Sequence, residues 1–217
     1  MRKNIAIQLS LLALSGFTLI SCGEQKKQKK ATQNEGDSIG AQEPVKVHSD
    51  PLITDNFTAD PSAHVFNDKI YIYPSHDYDS GIPEDDQGSH FDMKDYHVYS
   101  MDSVGGKVVD HGVALDIKDV PWAKRQMWAP DAAEKDGTYY LYFPAKNKDD
   151  VFQIGVATSK NPAGPFTAKP DPIKNSFSID PAVFKDSDGE FYMYFGGIWG
   201  GQLQRWSSGK YVNEDKY

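Results

Sequence analysis

The chain has 217 residues, with 23 Lys plus Arg against 31 Asp plus Glu and a formal net charge of −8. That balance excludes a nucleic-acid-binding surface, because neutralising phosphates takes clustered cations. The one cysteine excludes an intramolecular disulfide and a cysteine-built zinc site. With 12 Tyr, 11 Phe, 18 Gly and 13 Pro, the composition points to short strands and tight turns rather than long helices.

Arg2 and Lys3 lead into an apolar stretch from Ile5 to Ile20, interrupted by Gln8, Ser10 and Ser15. At 16 residues it is short for a membrane span and has the make-up of a secretory leader. Leu19-Ile20-Ser21-Cys22 resembles the lipobox of bacterial lipoproteins. The resemblance implies a signal peptide over residues 1–21 and a lipid on Cys22, and two acyl chains suffice for stable anchoring. The implied location is the bacterial cell envelope, lipid-anchored at the outer membrane or facing the periplasm. Residues 22–44 hold almost no large apolar side chain and are expected to form a flexible tether. Lys26, Lys27, Lys29 and Lys30 give this stretch a basic run, read as a solvated linker.

Residues 45–217 are expected to fold. They hold three copies of one pattern: Asp beside Pro, a short strand of small residues, a polar turn, then an aromatic-rich strand. The first copy runs from Ala59-Asp60-Pro61-Ser62 to Lys69-Ile70-Tyr71-Ile72-Tyr73. The second runs from Ala129-Pro130-Asp131-Ala132 to Thr138-Tyr139-Tyr140-Leu141-Tyr142-Phe143. The third runs from Ile179-Asp180-Pro181-Ala182 to Phe191-Tyr192-Met193-Tyr194-Phe195. Asn67-Asp68, Asp136-Gly137 and Asp188-Gly189 supply residues that tolerate the positive φ of hairpin turns. Asp186-Ser187-Asp188-Gly189 starts like a calcium loop but lacks its further ligands, so a turn explains it better. A third strand is expected in each copy, at Tyr96–Ser100, Phe152–Ala157 and Gln202–Trp206, and a fourth in the first copy at Lys107–His111.

Four antiparallel strands repeated radially make a propeller blade, so the expected fold class is all-β, a β-propeller of which this chain covers about two and a half blades. A β-sandwich with Tyr-rich hairpins is the competing architecture. The recurring Asp at each opening strand favours the propeller, since opening strands line the central channel and would bring their carboxylates together. The long acidic segment from His76 to Asp95 is predicted to be an insertion that rims the site.

The motifs Ala59-Asp60-Pro61-Ser62, Met127-Trp128-Ala129-Pro130-Asp131 and Ile179-Asp180-Pro181-Ala182-Val183-Phe184, with Asp95-Tyr96-His97-Val98-Tyr99-Ser100, resemble glycoside hydrolase family 43. The resemblance runs from about residue 50 to 210, nearly all the foldable chain. It implies a five-bladed propeller of inverting glycosidases acting on pentose-containing xylan, arabinoxylan or arabinan, of β-xylosidase or α-L-arabinofuranosidase type. Inversion needs a base that activates water and an acid that protonates the leaving oxygen. By resemblance Asp60 is the base, and Asp180 is the carboxylate that orients the acid and raises its pKa.

The family's acid is a Glu opening the next blade. Glu24, Glu35 and Glu43 lie in the tether, Glu84 in the insertion, Glu134 and Glu190 beside turns, and Glu214 near the last residue. None fits, so the chain is expected to be an N-terminal portion that is inactive alone. Trp128, Asp131 and His76 are candidate substrate contacts, each with a plain alternative: a core Trp, a strand cap and a satisfied loop histidine. Trp122, Arg125, Asp77 and Trp199 are candidates for the rim. The expected partners are an oligosaccharide or polysaccharide and, through the lipid, a membrane, with no nucleic acid. No metal-ligand set and no cofactor are predicted; a structural calcium in the channel is compatible with the resemblance but not indicated by the residues. The alternatives are a non-catalytic glycan-binding propeller lipoprotein and a fragment that does not fold alone, its strand edges and blade faces uncovered.

Overall fold

A computed structural model describes residues 50–86 and 88–196. The leader, Cys22, the tether, Trp199, the strand expected at Gln202–Trp206 and Glu214 lie outside the described residues. The described elements are all strands except one 3₁₀ turn at Ile117–Asp119, whose cap, Asp116, accepts from the Lys118 amide.

Strands β1 (Phe57–Phe66), β2 (Lys69–Asp77), β3 (Asp95–Met101) and β4 (Val109–Asp116) form an antiparallel meander in that order. A second meander follows in β6 (Asp131–Lys135), β7 (Thr138–Asn147), β8 (Phe152–Ser159) and β9 (Thr167–Ala168). The short β5 (Ala123–Arg125) lies on the same edge of β7 as β6, against the far end of that strand. A third sheet holds β10 (Ile179–Lys185) and β11 (Phe191–Gly196). The fold is therefore an all-β partial propeller: two complete four-stranded blades and the opening hairpin of a third.

The hairpins follow their turn chemistry. Asn67 and Asp68 take φ of 51° and 59°, and Asp136 and Gly137 take 52° and 68°, so both pairs bend the chain in the left-handed region. The third turn is longer. The Asp186 amide donates to the Glu190 carbonyl, and only Gly189 within it has positive φ, at 86°. The fourth strand of the first blade starts later than expected, at Val109, and continues to Asp116. Gly105, at φ 77°, and Gly106 still belong to the preceding turn, which delays the strand. Strand β5 escapes sequence reading because three residues carry no alternation and the partner is distant: Ala123 faces Asn147.

The main core fills the space between the first two blades. Tyr71, Tyr73, Tyr96, Val98 and Leu115 of the first pack with Leu141, Phe143 and Ala157 of the second. Tyr73, Tyr96 and Tyr139 cross this seam with their hydroxyls hydrogen-bonded, as burial favours. The Tyr73 hydroxyl donates to the Pro162 carbonyl at 2.8 Å, the Tyr96 hydroxyl to the Trp128 carbonyl at 2.5 Å, and Asn67 Nδ2 to the Tyr139 hydroxyl at 2.9 Å. Burial pushes the Tyr73 and Tyr96 hydroxyls far above the ordinary phenol range.

Candidate active site

Two of the three recurring aspartates sit on matching backbone irregularities. In β1, Ala59 faces Ser75 and Ser62 faces Tyr73, so Asp60 and Pro61 together oppose Pro74. In β10, Ile179 faces Gly196 and Ala182 faces Tyr194, so Asp180 and Pro181 oppose Phe195. Each is a β-bulge, in which two residues face one and the strand is locally re-aimed. Proline suits such a place because it has no N–H to offer a ladder. Asp60 and Asp180 take φ of 46° and 53°, a region that Asp tolerates far better than branched residues.

The bulges bring the two carboxylates within electrostatic reach of each other. Asp180 is held above the ordinary carboxylate range, first because surrounding protein strips part of its hydration and second because of the Asp60 charge. Its surface nonetheless remains open to solvent, as does that of Asp60.

Asp131 behaves differently. Its strand is regular, with Asp131 facing Tyr142, and its side chain is 8% exposed. One oxygen accepts from His64 Nε2 of β1 at 2.6 Å, and the other from the Val183 amide of β10 at 2.5 Å. Both oxygens are thus spent on the neighbouring blades. The expectation of a sugar contact at Asp131 is corrected: this carboxylate ties three blades together, because a buried charge must be satisfied by partners within the protein.

The insertion between β2 and β3 folds over the second blade. The Gly88 carbonyl accepts from Gln126 Nε2 at 2.7 Å, the Phe91 carbonyl from the Trp128 indole N–H at 2.7 Å, and the Met93 carbonyl from the Met127 amide at 3.0 Å. Trp128 is half-buried, with Phe152 against it at 4.5 Å between ring centroids and Phe91 edge-on at 6.4 Å. At Gly88, φ is 63° and an added Cβ would meet the Trp128 ring at 3.0 Å, so the insertion backbone rests on the indole.

The stretch that holds both Asp-Pro bulges coincides with a known family. Residues 49–214 match the family model of glycosyl hydrolases family 43. The chain belongs to this family. It is 61% identical over 164 residues to a xylosidase/arabinosidase 43A of Humicola insolens, covering 75% of this chain and 50% of the relative. A xylosidase/arabinosidase of Bacteroides ovatus is 58% identical over 160 residues, covering 73% of this chain and 49% of that one. Among solved structures, a GH43 β-xylosidase/α-arabinofuranosidase from a compost microbial metagenome, in complex with xylotriose and in calcium-free form, aligns with TM-score 0.76 and 69% identity. That alignment covers 79% of this chain and 52% of the other. The chain spans about half the length of the curated relatives it matches.

Within this family 43 chain the remaining candidates take definite places. Trp122 is not at a rim: it is 9% exposed and stacked on Phe143 at 6.0 Å, with Gly155 giving both rings room. Arg125 Nε donates to Asp150 at 2.9 Å, and Asp77 accepts from Ser75 Oγ at 2.9 Å. His76 faces Thr58 across the ladder, two residues from Asp60, and its Nδ1 lies 2.5 Å from Asp95. Glu84 is exposed in the insertion, Glu134 accepts from the Gly137 amide at 2.6 Å within a hairpin turn, and Glu190 closes the third turn. None of these three glutamates opens a strand.

Sequence reading missed two sets of residues. His64 was unremarked because its partner lies 67 positions away. Asp95 and His97 were read only as part of a strand motif, although their spacing places both on one face of β3 beside His76. Calcium needs a cage of many oxygens. Among the described residues the group of close metal-type donors is His76, Asp95 and His97, which contains only one carboxylate. This group does not fit a calcium cage, and no chemistry is derived through one.

Proposed function

We propose that this chain supplies the base-bearing half of an inverting glycosidase acting on β-xylosides or α-L-arabinofuranosides of xylan, arabinoxylan or arabinan fragments. The observation that carries the reading is the pair of Asp-Pro bulges that hold Asp60 and Asp180 within electrostatic reach of each other in a family 43 chain. Asp60 takes a proton from the water that attacks the anomeric carbon. The glycosidic oxygen leaves on the opposite side of the sugar, protonated by an acid ~6.5–9.5 Å from the base. Asp180 holds that acid in place and, by its charge, keeps it protonated until the leaving group needs it. The acid itself is assigned outside the described residues, since Glu84, Glu134 and Glu190 sit in the insertion or at turns. Trp128, half-buried beneath the insertion, is the aromatic wall for the pentose ring in this reading. Cys22 carries the lipid anchor and residues 22–44 the tether, which holds the catalytic domain in the bacterial cell envelope, at the outer membrane or facing the periplasm.

The test is a fusion in which the C-terminal half of the Humicola insolens relative continues this chain. The fusion should hydrolyse nitrophenyl β-xyloside or α-L-arabinofuranoside, and the 217-residue chain alone should not. Binding of xylo-oligosaccharides by a fusion without turnover would favour the non-catalytic glycan-binding reading. For the anchor, radiolabelled palmitate should enter the wild-type chain in a bacterial host and be absent from Cys22→Ser.

A further inference from the structure

We propose that His76, Asp95 and His97 bind one divalent transition-metal ion that clamps the two feet of the 78–94 insertion. His76 lies near the end of β2 and Asp95 begins β3, so these residues are where the insertion leaves the blade and returns to it. One donor atom from each of the three residues lies within 4.8 Å of the others. The two imidazoles stand 4.7 Å apart, tilted by 56°. Ligands sharing one ion at about 2.0–2.2 Å sit roughly 3–4 Å from one another, so small side-chain rotations would close the set.

The surroundings favour a metal site over an incidental cluster. His97 Nδ1 lies 3.1 Å from both oxygens of Asp110 on β4. That carboxylate is fixed in turn by the Gly112 amide at 2.7 Å and lies 3.4 Å from Asn56 Nδ2. A carboxylate behind an imidazole sets the tautomer, leaving Nε2 of His97 as the free lone pair, and raises its basicity toward a metal. All three ligands stand on strands, whose rigidity suits a defined geometry. Their side chains are 21%, 23% and 15% exposed, enough for an ion to enter and keep a water. Two imidazoles and one carboxylate select zinc, cobalt or nickel over calcium or magnesium.

The consequence is local order near the base. His76 pairs with Thr58, just before the Asp60 bulge, and the insertion rests on Trp128 through Gly88 and Phe91. An ion at the feet of the insertion holds that cover down. The proposal stands without the catalytic reading, because its measurements do not involve turnover.

The experiment is titration of the full 217-residue chain, held in detergent, with zinc chloride by calorimetry, and with cobalt chloride by visible absorption. One zinc per chain is expected, with cobalt giving a ligand-field band. His76→Ala and His97→Ala should each weaken binding by more than about 100-fold, and Asp110→Asn by ~10–100-fold. His111→Ala, whose imidazole bonds Ser100 instead, should leave it unchanged. Should His97→Ala lose its far-UV circular dichroism, the near-isosteric Asp95→Asn decides by the same criterion. Zinc should also slow proteolytic cleavage within residues 78–94. Absence of one-to-one binding by the wild-type chain, or wild-type affinity in the folded ligand variants, overturns the site. An unchanged cleavage rate with zinc bound overturns the clamp.

Discussion

The first and third blades open with Asp-Pro, the second with Pro-Asp, and this inversion of two residues separates solvent-facing carboxylates from a buried one. Where Pro follows Asp, the ladder skips, the Asp takes a positive φ, and its carboxylate stays accessible at the bulge. Where Pro precedes Asp, the proline lies outside β6, the strand begins regularly at Asp131, and its carboxylate is buried. The same repeat therefore yields a solvent-facing pair, Asp60 and Asp180, and a buried tie that His64 and Val183 satisfy. A repeat unit can carry different jobs when the position of one imino acid decides whether the backbone bulges.

The largest effect expected from breaking this contrast is on turnover. In the fusion with the relative's C-terminal half, Asp60→Ala should lower kcat by ~10²–10⁴, the usual contribution of a general base, with substrate binding retained. Asp131→Ala should act instead on stability. It strands His64 and leaves the Val183 amide without an acceptor, which should cost ~3–5 kcal/mol in urea denaturation. A kcat loss in Asp131→Ala with unchanged stability would erase the distinction between tie and catalyst. A smaller effect tests the backbone. Asp180→Val should cost about 1–3 kcal/mol because a β-branched side chain is strained at φ 53°, whereas Asp180→Asn should avoid that cost.

Much of the fold was legible in the sequence for physical reasons. Alternation in Tyr71 and Tyr73 against Ile70 and Ile72, and the Asn-Asp and Asp-Gly pairs, are local signals, and the strands and the first two turns followed them. The three-residue β5 was not legible, because its partner is 21 or more positions away. At the site, the Asp-Pro motif announced two carboxylates but not that the third would be buried. Alone, Asp131 has the same residue type and nearly the same neighbours; its fate depends on His64 and Val183, which only tertiary packing brings to it. Trp122 went the same way: as a lone aromatic it suits the rim of a pocket, and only the Gly155 gap beneath Phe143 shows it to be core.

The smallest effect is also the most selective for the comparison. Asp180 sits above the ordinary carboxylate range, through lost hydration first and Asp60 repulsion second. Its proton is therefore held more tightly in the folded chain than in the unfolded one. By linkage the fold is favoured most below the unfolded carboxylate pKa of about 3.9, and that advantage is lost as pH rises through the raised folded value. Asp180→Asn removes this term, so the variant should gain stability relative to wild type as pH climbs from about 4 toward neutrality, then level off. Asp60→Asn should remove only the repulsive part. A carboxyl-carbon NMR titration should then show the Asp180 midpoint falling in Asp60→Asn yet still above the ordinary range, because the lost hydration remains. Asp131→Asn should leave that midpoint nearly where it was, since the Asp131 charge is engaged by His64 and Val183 and does not contribute to the shift. A midpoint that ignored Asp60→Asn would mean the two bulges do not aim their carboxylates at a common point, and the pairing on which the base assignment rests would fail.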